Sequence, residues 1–413
     1  MPDTQYVPRR IKSLLDDALS DTPAVLIHGP RQCGKTTLAQ VVCEPKGYEY
    51  FSFDDDTLAA AALSDPIGFV SDLPDKAILD EVQRAPGIFT TLKLVIDRDR
   101  RPGRFVLTGS ANTLLIPQLA DSLAGRMEIL RLHPLSQREL EGEPGSLLHF
   151  LWEGNAPRGS VERLGDNLLE RICAGGYPAA LTRQADRRRA TWYRDYVETL
   201  IQRDIRDLAH IRRLDVIPRL LALTAAQTAQ LLNVSELAAP FQISRPTIHD
   251  YVTLLENIFL LDITPPWFSN RLKRLLKSPK VHIGDTGIAC ALLGLDKAAL
   301  KRDRTILGHI LETFVYQELR RDASGSAEPH RFRHFRDRDG YEVDIVVERG
   351  HQIVGIEVKA AATVTEHDFR GLRKLQQATG DSFVAGCVLY DGETCAGFGD
   401  RLHAIPIRLL WES

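Results

Sequence analysis

The sequence predicts an α/β protein of three parts: a parallel sheet with crossover helices, a mainly helical middle domain and a small α/β C-terminal domain. Three observations lead to this prediction. Short apolar runs alternate with helical segments at first, long amphipathic stretches follow, and strand-like segments return after Leu307. A chain of 413 residues is also too long for one compact core. We therefore expect domains at residues 1–140, 141–300 and 301–413.

Composition and charge exclude several classes of protein. The 52 basic and 55 acidic side chains give a net charge of −3, so any contact with nucleic acid must come from local patches. The six cysteines, at positions 33, 43, 173, 290, 387 and 395, are scattered and indicate neither a zinc site nor a disulfide framework. No segment has the about 20 consecutive apolar residues of a membrane span, and the N-terminus lacks the apolar core of a signal peptide. We expect a cytoplasmic protein without a membrane partner.

A phosphate-binding loop is predicted after the first strand. The apolar run Pro23 to His28 precedes GPRQCGKT, Gly29 to Thr36, which satisfies G-x-x-x-x-G-K-[ST] and leads into a helix. Backbone N–H groups would turn toward phosphate oxygens, Lys35 would neutralise the terminal phosphates and Thr36 would ligate Mg²⁺. The cofactors predicted are ATP and Mg²⁺. The predicted nucleotide-binding residues of this loop are Gly29, Pro30, Arg31, Gln32, Cys33, Gly34, Lys35, Thr36 and Thr37.

Two adjacent carboxylates follow a second predicted strand, Lys76 to Leu79. Asp80 would hold the magnesium ion, and Glu81 would orient and deprotonate the water that attacks the γ-phosphate. The alternative is an acidic helix cap on a surface loop. Strand candidates at Tyr48 to Phe53 and Arg104 to Leu107 complete the predicted sheet.

Further polar residues are candidates for the same site. Thr108 or Ser110, in VLTGS at the end of a strand, would probe the γ-phosphate, or would simply form a turn. Arg126, in SLAGR, would be an arginine finger acting in cis or on a neighbouring subunit's nucleotide, or else a surface ion-pair partner. A finger acting between subunits would require a homo-oligomer.

Four segments carry a resemblance to a known family. GPRQCGKTT, KAILDEVQRAPGIFTTLKLVID, RFVLTGSANTLL and SLAGRMEILRLHPLSQREL resemble bacterial and archaeal predicted ATPases of the AAA+ superfamily. The resemblance extends over nearly the whole chain. It implies an AAA+-type core and a nuclease-like C-terminal module, and it supports a winged helix between them.

A helix-turn-helix is predicted in NVSELAAPFQISRPTIHDYVTLLENIFLL. Its first helix would be capped by Ser235, its turn would fall near Phe241 to Ile243, and its second helix would begin at Ser244. The next segment, FLLDITPP, would supply a strand of a winged version. Such a module either contacts DNA or docks a protein. The residues that would read DNA are Arg245, Thr247 and His249.

A basic segment follows the predicted wing strand. Between Thr264 and Gly284 there is no acidic residue, and Trp267 and Phe268 lie beside the basic ones. This composition suits a phosphate backbone, or a solvated face whose charges balance an acidic neighbour. The basic residues are Arg271, Lys273, Arg274, Lys277 and Lys280.

The C-terminal part carries the layout of the PD-(D/E)xK nuclease superfamily, which has a restriction-endonuclease-like fold. Glu312 lies on a predicted helix, Asp344 on a strand, and Glu357 and Lys359 two residues apart on the next strand. Residues two apart project from the same face of a strand. Glu312, Asp344 and Glu357 would hold a divalent metal, and Lys359 would position the attacking water. The alternative is that Lys359 merely pairs with the carboxylates in a fold that no longer cuts.

Two functions follow from these motifs. The first is a magnesium-dependent, AAA+-type ATP hydrolase that acts on DNA through a winged helix and a nuclease-like module. The alternative is a regulatory or interaction protein switched by nucleotide, with a C-terminal module that does not cut. A small-molecule kinase is a weaker third hypothesis, because Asp80 and Glu81 suit water activation rather than the binding of an acceptor.

Overall fold

The computed structural model describes residues 6–110, 123, 125–205, 213–268 and 278–413. The chain forms two compact units. The first comprises residues 1–135, 257–259 and 324–327, and the second comprises the remainder of the chain. The prediction of three domains at residues 1–140, 141–300 and 301–413 stays a prediction.

The first unit is built around one parallel sheet. Its strands are β1 (Ala24–His28), β2 (Glu49–Ser52), β3 (Ala77–Asp80), β4 (Phe105–Gly109) and β5 (Met127–Arg131). Its helices are α1 (Lys12–Asp21), α2 (Lys35–Cys43), α3 (Asp56–Ser64), α4 (Pro66–Ser71) and α5 (Ile88–Arg98), with short 3₁₀ turns at Glu44–Lys46 and Val82–Arg84.

The strand order is β2-β3-β4-β1-β5, and all neighbours are parallel. Every residue of β1 is buried, and its successive side chains enter hydrophobic clusters on opposite faces of the sheet, Ala24 and Leu26 on one and Val25 and Ile27 on the other. The predicted parallel sheet with crossover helices is confirmed. Because the strands are parallel, the loops after β1, β3 and β4 meet at one edge of the sheet.

The second unit begins with a mainly helical region and a small antiparallel sheet. The helices are α6 (Gln137–Glu141), α7 (Leu147–Trp152), α8 (Asp166–Ala174), α9 (Pro178–Leu181), α10 (Asp186–Leu200), α11 (Val216–Ala226), α12 (Val234–Ala238), α13 (Arg245–Asn257), α14 (Thr286–Leu293) and α15 (Lys297–Arg302). A π-helical segment, Ile201–Ile205, follows α10, and a 3₁₀ turn, Ala239–Phe241, follows α12. The strands β6 (Gln230–Leu231), β7 (Leu261–Thr264) and β8 (Lys280–Ile283) form a sheet in the order β6-β8-β7.

The segment predicted to form a helix-turn-helix differs from its prediction in one detail. The cap of α12 is Asn233, whose side-chain oxygen accepts from the backbone N–H groups of Ser235 and Glu236, so the predicted cap at Ser235 is wrong. Asparagine is as good a cap as serine, and the helix simply begins earlier. The second cap is confirmed, because Ser244 Oγ accepts from Thr247 N at 3.3 Å. The short strand β6 was not predicted, since two residues carry no periodicity.

The C-terminal part of this unit is a mixed sheet covered by helices. Its order is β13-β14-β12-β11-β10-β9. The strands are β9 (His330–Arg336), β10 (Glu342–Arg349), β11 (Gln352–Lys359), β12 (Phe383–Tyr390), β13 (Ala396–Gly397) and β14 (Leu402–Pro406). The helices are α16 (Arg304–Ala323), α17 (Arg370–Thr379) and α18 (Leu409–Glu412), with 3₁₀ turns at Glu366–Phe369 and Gly380–Ser382. Of the helices in the described ranges, none has the length and apolar character that crossing a bilayer demands.

A buried ionic network joins α14 to α16 inside the second unit. Asp285, fully buried, caps α14 by accepting from Gly287 N at 2.9 Å and also accepts from Gly176 N at 2.8 Å. Arg321 donates to Asp285 at 2.8 Å and to Glu318 at 2.9 Å. Because a buried charge without a partner is costly, these groups stabilise the fold only as a set.

We expect Asp285→Ala to lower the free energy of unfolding by about 3–5 kcal/mol, because the guanidinium of Arg321 loses one of its buried counter-charges. Urea denaturation of the full chain measures this loss. The matched control is Lys301→Ala, which removes an exposed pair with Asp166 and should leave the urea midpoint unchanged. Equal midpoints for the two variants would contradict a stabilising role of the network.

Candidate nucleotide-binding site

The loop between β1 and α2 has the backbone of a phosphate cradle. Gln32 and Gly34 both adopt positive φ angles, 59° and 101°, so the chain turns sharply before the first turn of α2. A side chain at Gly29 could not fit, since a Cβ there would lie 2.0 Å from the carbonyl oxygen of Leu132. The loop therefore needs glycine at position 29, and it leads into a helix N-terminus, which favours an anion.

Two cations hold this loop from inside. Lys35 is only 5% exposed, and its Nζ donates to the carbonyl oxygens of Gly29 at 3.1 Å and Pro30 at 2.9 Å. Arg9, which lies before α1, donates from Nη1 to the carbonyl oxygen of Cys33 at 2.8 Å. The positive charge of Lys35 is thus concentrated inside the loop, where the terminal phosphates of a nucleotide would bind.

Asp80 lies at the end of β3 and is held by three hydroxyl groups. Its Oδ1 accepts from Thr36 Oγ1 at 2.8 Å and from the hydroxyl of Thr108, and its Oδ2 accepts from Tyr50 OH at 2.9 Å. Burial and the nearby Asp80 raise the pKa of Tyr50 to about 12, so the phenol keeps its proton and donates it. Thr36 and Asp80 present adjoining oxygen ligands, which are the type that Mg²⁺ prefers.

Glu81 follows in a left-handed backbone conformation, with φ of 56°. Its Oε2 accepts from Ser110 Oγ at 3.2 Å and from the amide of Gln83, and it lies 3.7 Å from Arg31 Nη1. Its backbone N–H donates to Thr108 Oγ1 at 3.1 Å. A non-glycine residue rarely adopts this conformation, and these contacts fix the carboxylate beside the phosphate loop.

The strand order explains why these residues meet. β4 lies between β1 and β3, so Thr108 and Ser110, at its end, lie between the phosphate loop and the acidic pair. The sequence therefore predicted side chains that the fold brings together. Their roles in binding and catalysis stay predictions.

Arg126 is engaged elsewhere in this structure. Its Nε and Nη2 bind the two carboxylate oxygens of Asp97, at 2.7 and 2.9 Å, and Asp97 belongs to α5. This two-point contact is the ion pair that sequence reasoning left open as the alternative to an arginine finger. The finger role stays a prediction.

Three contributors to the site were not predicted: Arg9, Tyr50 and Gln83. Tyr50 lies on β2, two residues before Ser52, and Ser52 pairs with Asp80 of β3. This pairing between strands cannot be predicted from a local sequence pattern. Gln83 lies within the predicted DEVQ segment, two residues after Glu81, but carried no assigned role. Arg9 precedes every motif of the chain.

The C-terminal carboxylates also come together, but around an unexpected residue. Lys280, the first residue of β8, places Nζ at 2.6 Å from Glu312 Oε1 and 3.2 Å from Asp344 Oδ1. The second oxygen of Asp344 accepts from Val358 N at 3.0 Å. The Nζ of Lys359 lies 3.4 Å from Glu357 Oε1.

Electrostatics in this acidic cluster follow from burial. Burial, and then the charge of Asp344, raise the pKa of Glu312 to about 8 and raise the pKa of Glu357 well above its usual range. Burial opposes the charge of Lys280, but Glu312 and Asp344 outweigh it and raise the pKa of Lys280. Within the described ranges no group of three or more His, Cys, Asp or Glu side chains is arranged to hold a metal ion. The metal and catalytic roles of Glu312, Asp344, Glu357 and Lys359 stay predictions.

The predicted DNA-reading residues lie at the start of α13. Arg245 and His249 are exposed and Thr247 is half-buried. Of the basic segment, Arg271, Lys273, Arg274 and Lys277 lie outside the described residues. Lys280 is buried, 5% exposed, and its Nζ contacts Glu312 and Asp344, so it does not belong to an exposed basic face; Trp267 is buried too, 4% exposed. Contact of this segment with a phosphate backbone stays a prediction. Sequence periodicity could not reveal the burial of Lys280, because its partners Glu312 and Asp344 are distant from it in sequence.

Three family models match the chain. Residues 21–141 match an AAA domain, residues 165–299 match a domain of unknown function, DUF8612, and residues 307–410 match another, DUF4143. The first match, with the parallel sheet and the loop geometry, supports an ATP-binding domain of AAA+ type.

Relatives match over most of the chain. The uncharacterized protein Rv2008c of Mycobacterium tuberculosis is 30% identical over 392 residues, which span 94% of this chain and 81% of that protein. An uncharacterized protein of Haemophilus influenzae is 26% identical over 302 residues, spanning 70% and 67% of the two chains. Among solved structures, a Walker-type ATPase of Pyrococcus abyssi, paby2304, aligns with a TM-score of 0.41 at 17% identity, covering 70% of this chain and 99% of that one.

We expect Lys35→Ala to abolish measurable ATP binding while the protein stays folded, because the loop loses the charge that neutralises the β- and γ-phosphates. Calorimetric titration with Mg·ATP measures binding, and circular dichroism verifies folding. Lys46→Ala is the matched control, since Lys46 is an exposed lysine of the same unit that pairs with Asp16. Unchanged ATP affinity in Lys35→Ala would refute the assignment of the loop.

Proposed function

We propose that this chain, which belongs to the same protein family as the uncharacterized protein Rv2008c of Mycobacterium tuberculosis, is a magnesium-dependent ATP hydrolase of AAA+ type. The observation that carries the proposal is the contact of Thr36 with Asp80, with Glu81 directly beyond it at the same sheet edge. These are the two acidic roles that γ-phosphate hydrolysis requires, a metal ligand and a base for water.

Binding uses the loop and the first turn of α2. The backbone N–H groups from Arg31 to Gly34 would donate to phosphate oxygens, and Lys35 would exchange its contacts with the carbonyls of Gly29 and Pro30 for the terminal phosphates. Thr36 and Asp80 would hold a magnesium ion, which would supply positive charge to the β- and γ-phosphates. Tyr50 and Thr108 keep the Asp80 carboxylate directed at Thr36.

Hydrolysis uses Glu81 as general base. Ser110 and Gln83 both donate to one of its oxygens, and Ser110 would also sense the γ-phosphate from the end of β4. The left-handed backbone of Glu81 ends the extended conformation of β3 directly after Asp80.

A second activity, contact with DNA, is favoured by the topology around the helix-turn-helix. In chain order α11, β6, α12, α13, β7 and β8 alternate as in a winged helix, and β8 lies between β6 and β7 in one antiparallel sheet. The first turns of α13 expose Arg245 and His249, which suits a helix that enters a groove of DNA. Docking of a protein by the same helix is the competing outcome.

We expect Glu81→Gln to bind Mg·ATP as the unchanged protein does but to hydrolyse it roughly a hundredfold more slowly, because only the base is lost. Asp80→Asn should instead weaken the magnesium-dependent part of ATP binding, because a metal ligand is lost. Calorimetry and a phosphate-release assay measure the two effects. If both variants changed binding and turnover in the same way, the division of roles between Asp80 and Glu81 would be wrong.

For the winged helix, we expect the double change Arg245→Ala and His249→Ala to weaken binding of duplex DNA roughly tenfold or more and to flatten its salt dependence. Fluorescence anisotropy with a labelled duplex, at two salt concentrations, measures this. Arg302→Ala, at an exposed arginine at the end of α15, is the control and should bind as the unchanged protein does. Equal DNA binding by the double variant would favour a protein as the partner of α13.

A further inference from the structure

The acidic cluster of the C-terminal module receives a cation from outside the module. Lys280 begins β8, the central strand of the three-stranded sheet, where it pairs with Leu231 of β6 and Thr264 of β7. Its side chain leaves that sheet and ends between Glu312 on α16 and Asp344 on β10. It is only 5% exposed. One ammonium group thus joins two carboxylates that belong to different elements.

The contacts of Lys280 use the oxygens that a metal would need. Its distances of 2.6 and 3.2 Å to Glu312 Oε1 and Asp344 Oδ1 are those of charge-assisted hydrogen bonds. The other oxygen of Asp344 accepts from Val358 N at 3.0 Å. A divalent ion bound by the same carboxylates at about 2.0–2.6 Å would adjoin the buried ammonium, and like charges repel strongly where water is excluded. The metal and Lys280 therefore exclude each other.

The second lysine of the cluster is also committed to carboxylates. Lys359 Nζ lies 3.4 Å from Glu357 Oε1 and 3.6 Å from Asp368 Oδ1. The Oε2 of Glu357 is buried and has no hydrogen-bond partner within the described residues. A magnesium or manganese ion bound here would have to complete its about six ligands with water or with oxygens that the two lysines already contact.

We propose that Lys280 is the built-in cation of this cluster, where it takes the place of a divalent metal, and that the C-terminal module consequently does not cleave DNA. The buried carboxylates serve instead to anchor β8 to α16 and β10. This function does not depend on the ATP site, because it requires neither nucleotide nor hydrolysis. It also differs from the predicted alternative, in which Lys359 alone would compensate the carboxylates.

The test removes the charge of Lys280 and asks whether a metal replaces it. Lys280→Met keeps the length and apolar stem of the side chain, and Lys280→Arg keeps the charge and serves as the matched control. Mn²⁺ binding is measured on the full chain without nucleotide, by calorimetry and by electron paramagnetic resonance. The Asp80→Asn variant is measured in parallel, so that any Mn²⁺ bound at the ATP site can be subtracted.

We expect the unchanged protein and Lys280→Arg to bind no Mn²⁺ at this cluster, so that adding Asp344→Asn does not reduce their Mn²⁺ binding. Lys280→Met should gain one bound Mn²⁺ per chain and should melt at a higher temperature when Mn²⁺ is present. The gained site should disappear when Asp344→Asn is added to Lys280→Met. If Lys280→Met folds and binds no Mn²⁺, or if the unchanged protein binds one that Asp344→Asn removes, the inference is overturned.

A cleavage assay keeps the inference testable even if Lys280→Met does not fold. The unchanged protein is incubated with Mn²⁺ and with linear, forked and four-way DNA, beside Lys359→Ala. We expect no cleavage above that of Lys359→Ala. DNA cleavage by the unchanged protein that is absent in Lys359→Ala would establish a nuclease and would overturn the role assigned to Lys280. Neither result bears on the ATP site, which is tested separately by ATP turnover in Lys35→Ala.

Discussion

The carboxylate of Asp80 ends a strand in the middle of a sheet, almost out of contact with solvent, and three hydroxyl groups hold it. A buried carboxylate must find donors or a counter-charge, and this constraint recurs through the chain. Asp285 meets it with two backbone N–H groups and Arg321. Asp344 meets it with Lys280 and a backbone N–H. In each case at least one donor comes from an element far away in sequence, so satisfying the charge also fixes the packing of those elements.

The same constraint distinguishes the two acidic sites. Around Asp80 the partners are neutral hydroxyl groups, which leave the negative charge available to a metal ion. Around Asp344 the partner is an ammonium group, which cancels the charge. In the roles proposed here, one carboxylate binds a ligand and the other joins elements, although both lie on strands of a sheet.

What the sequence predicted correctly was local. The loop between β1 and α2, the position of Asp80 and Glu81 at the end of β3, and the strand β4 all follow from short motifs and from the alternation of apolar runs with helices. Their partners could not be predicted, because Tyr50 reaches Asp80 only through the pairing of β2 with β3. The E-x-K pattern likewise reports that Glu357 and Lys359 share a face of β11, but not that Lys280 enters from another sheet. Two-residue strands such as β6 have too few residues to show a period.

Arg9 has a consequence for where the nucleotide-binding domain is taken to begin. The AAA domain match starts at residue 21, and the first residue of the phosphate-loop motif is Gly29. Yet the guanidinium of Arg9 holds the carbonyl of Cys33 in the middle of that loop. A boundary drawn from the family match would keep the complete motif and discard the side chain that steadies it. The functional unit therefore extends toward the N-terminus beyond the matched segment. A fragment that starts at residue 21 would contain the whole phosphate-loop motif but would lack the hydrogen bond from Arg9 to the carbonyl of Cys33.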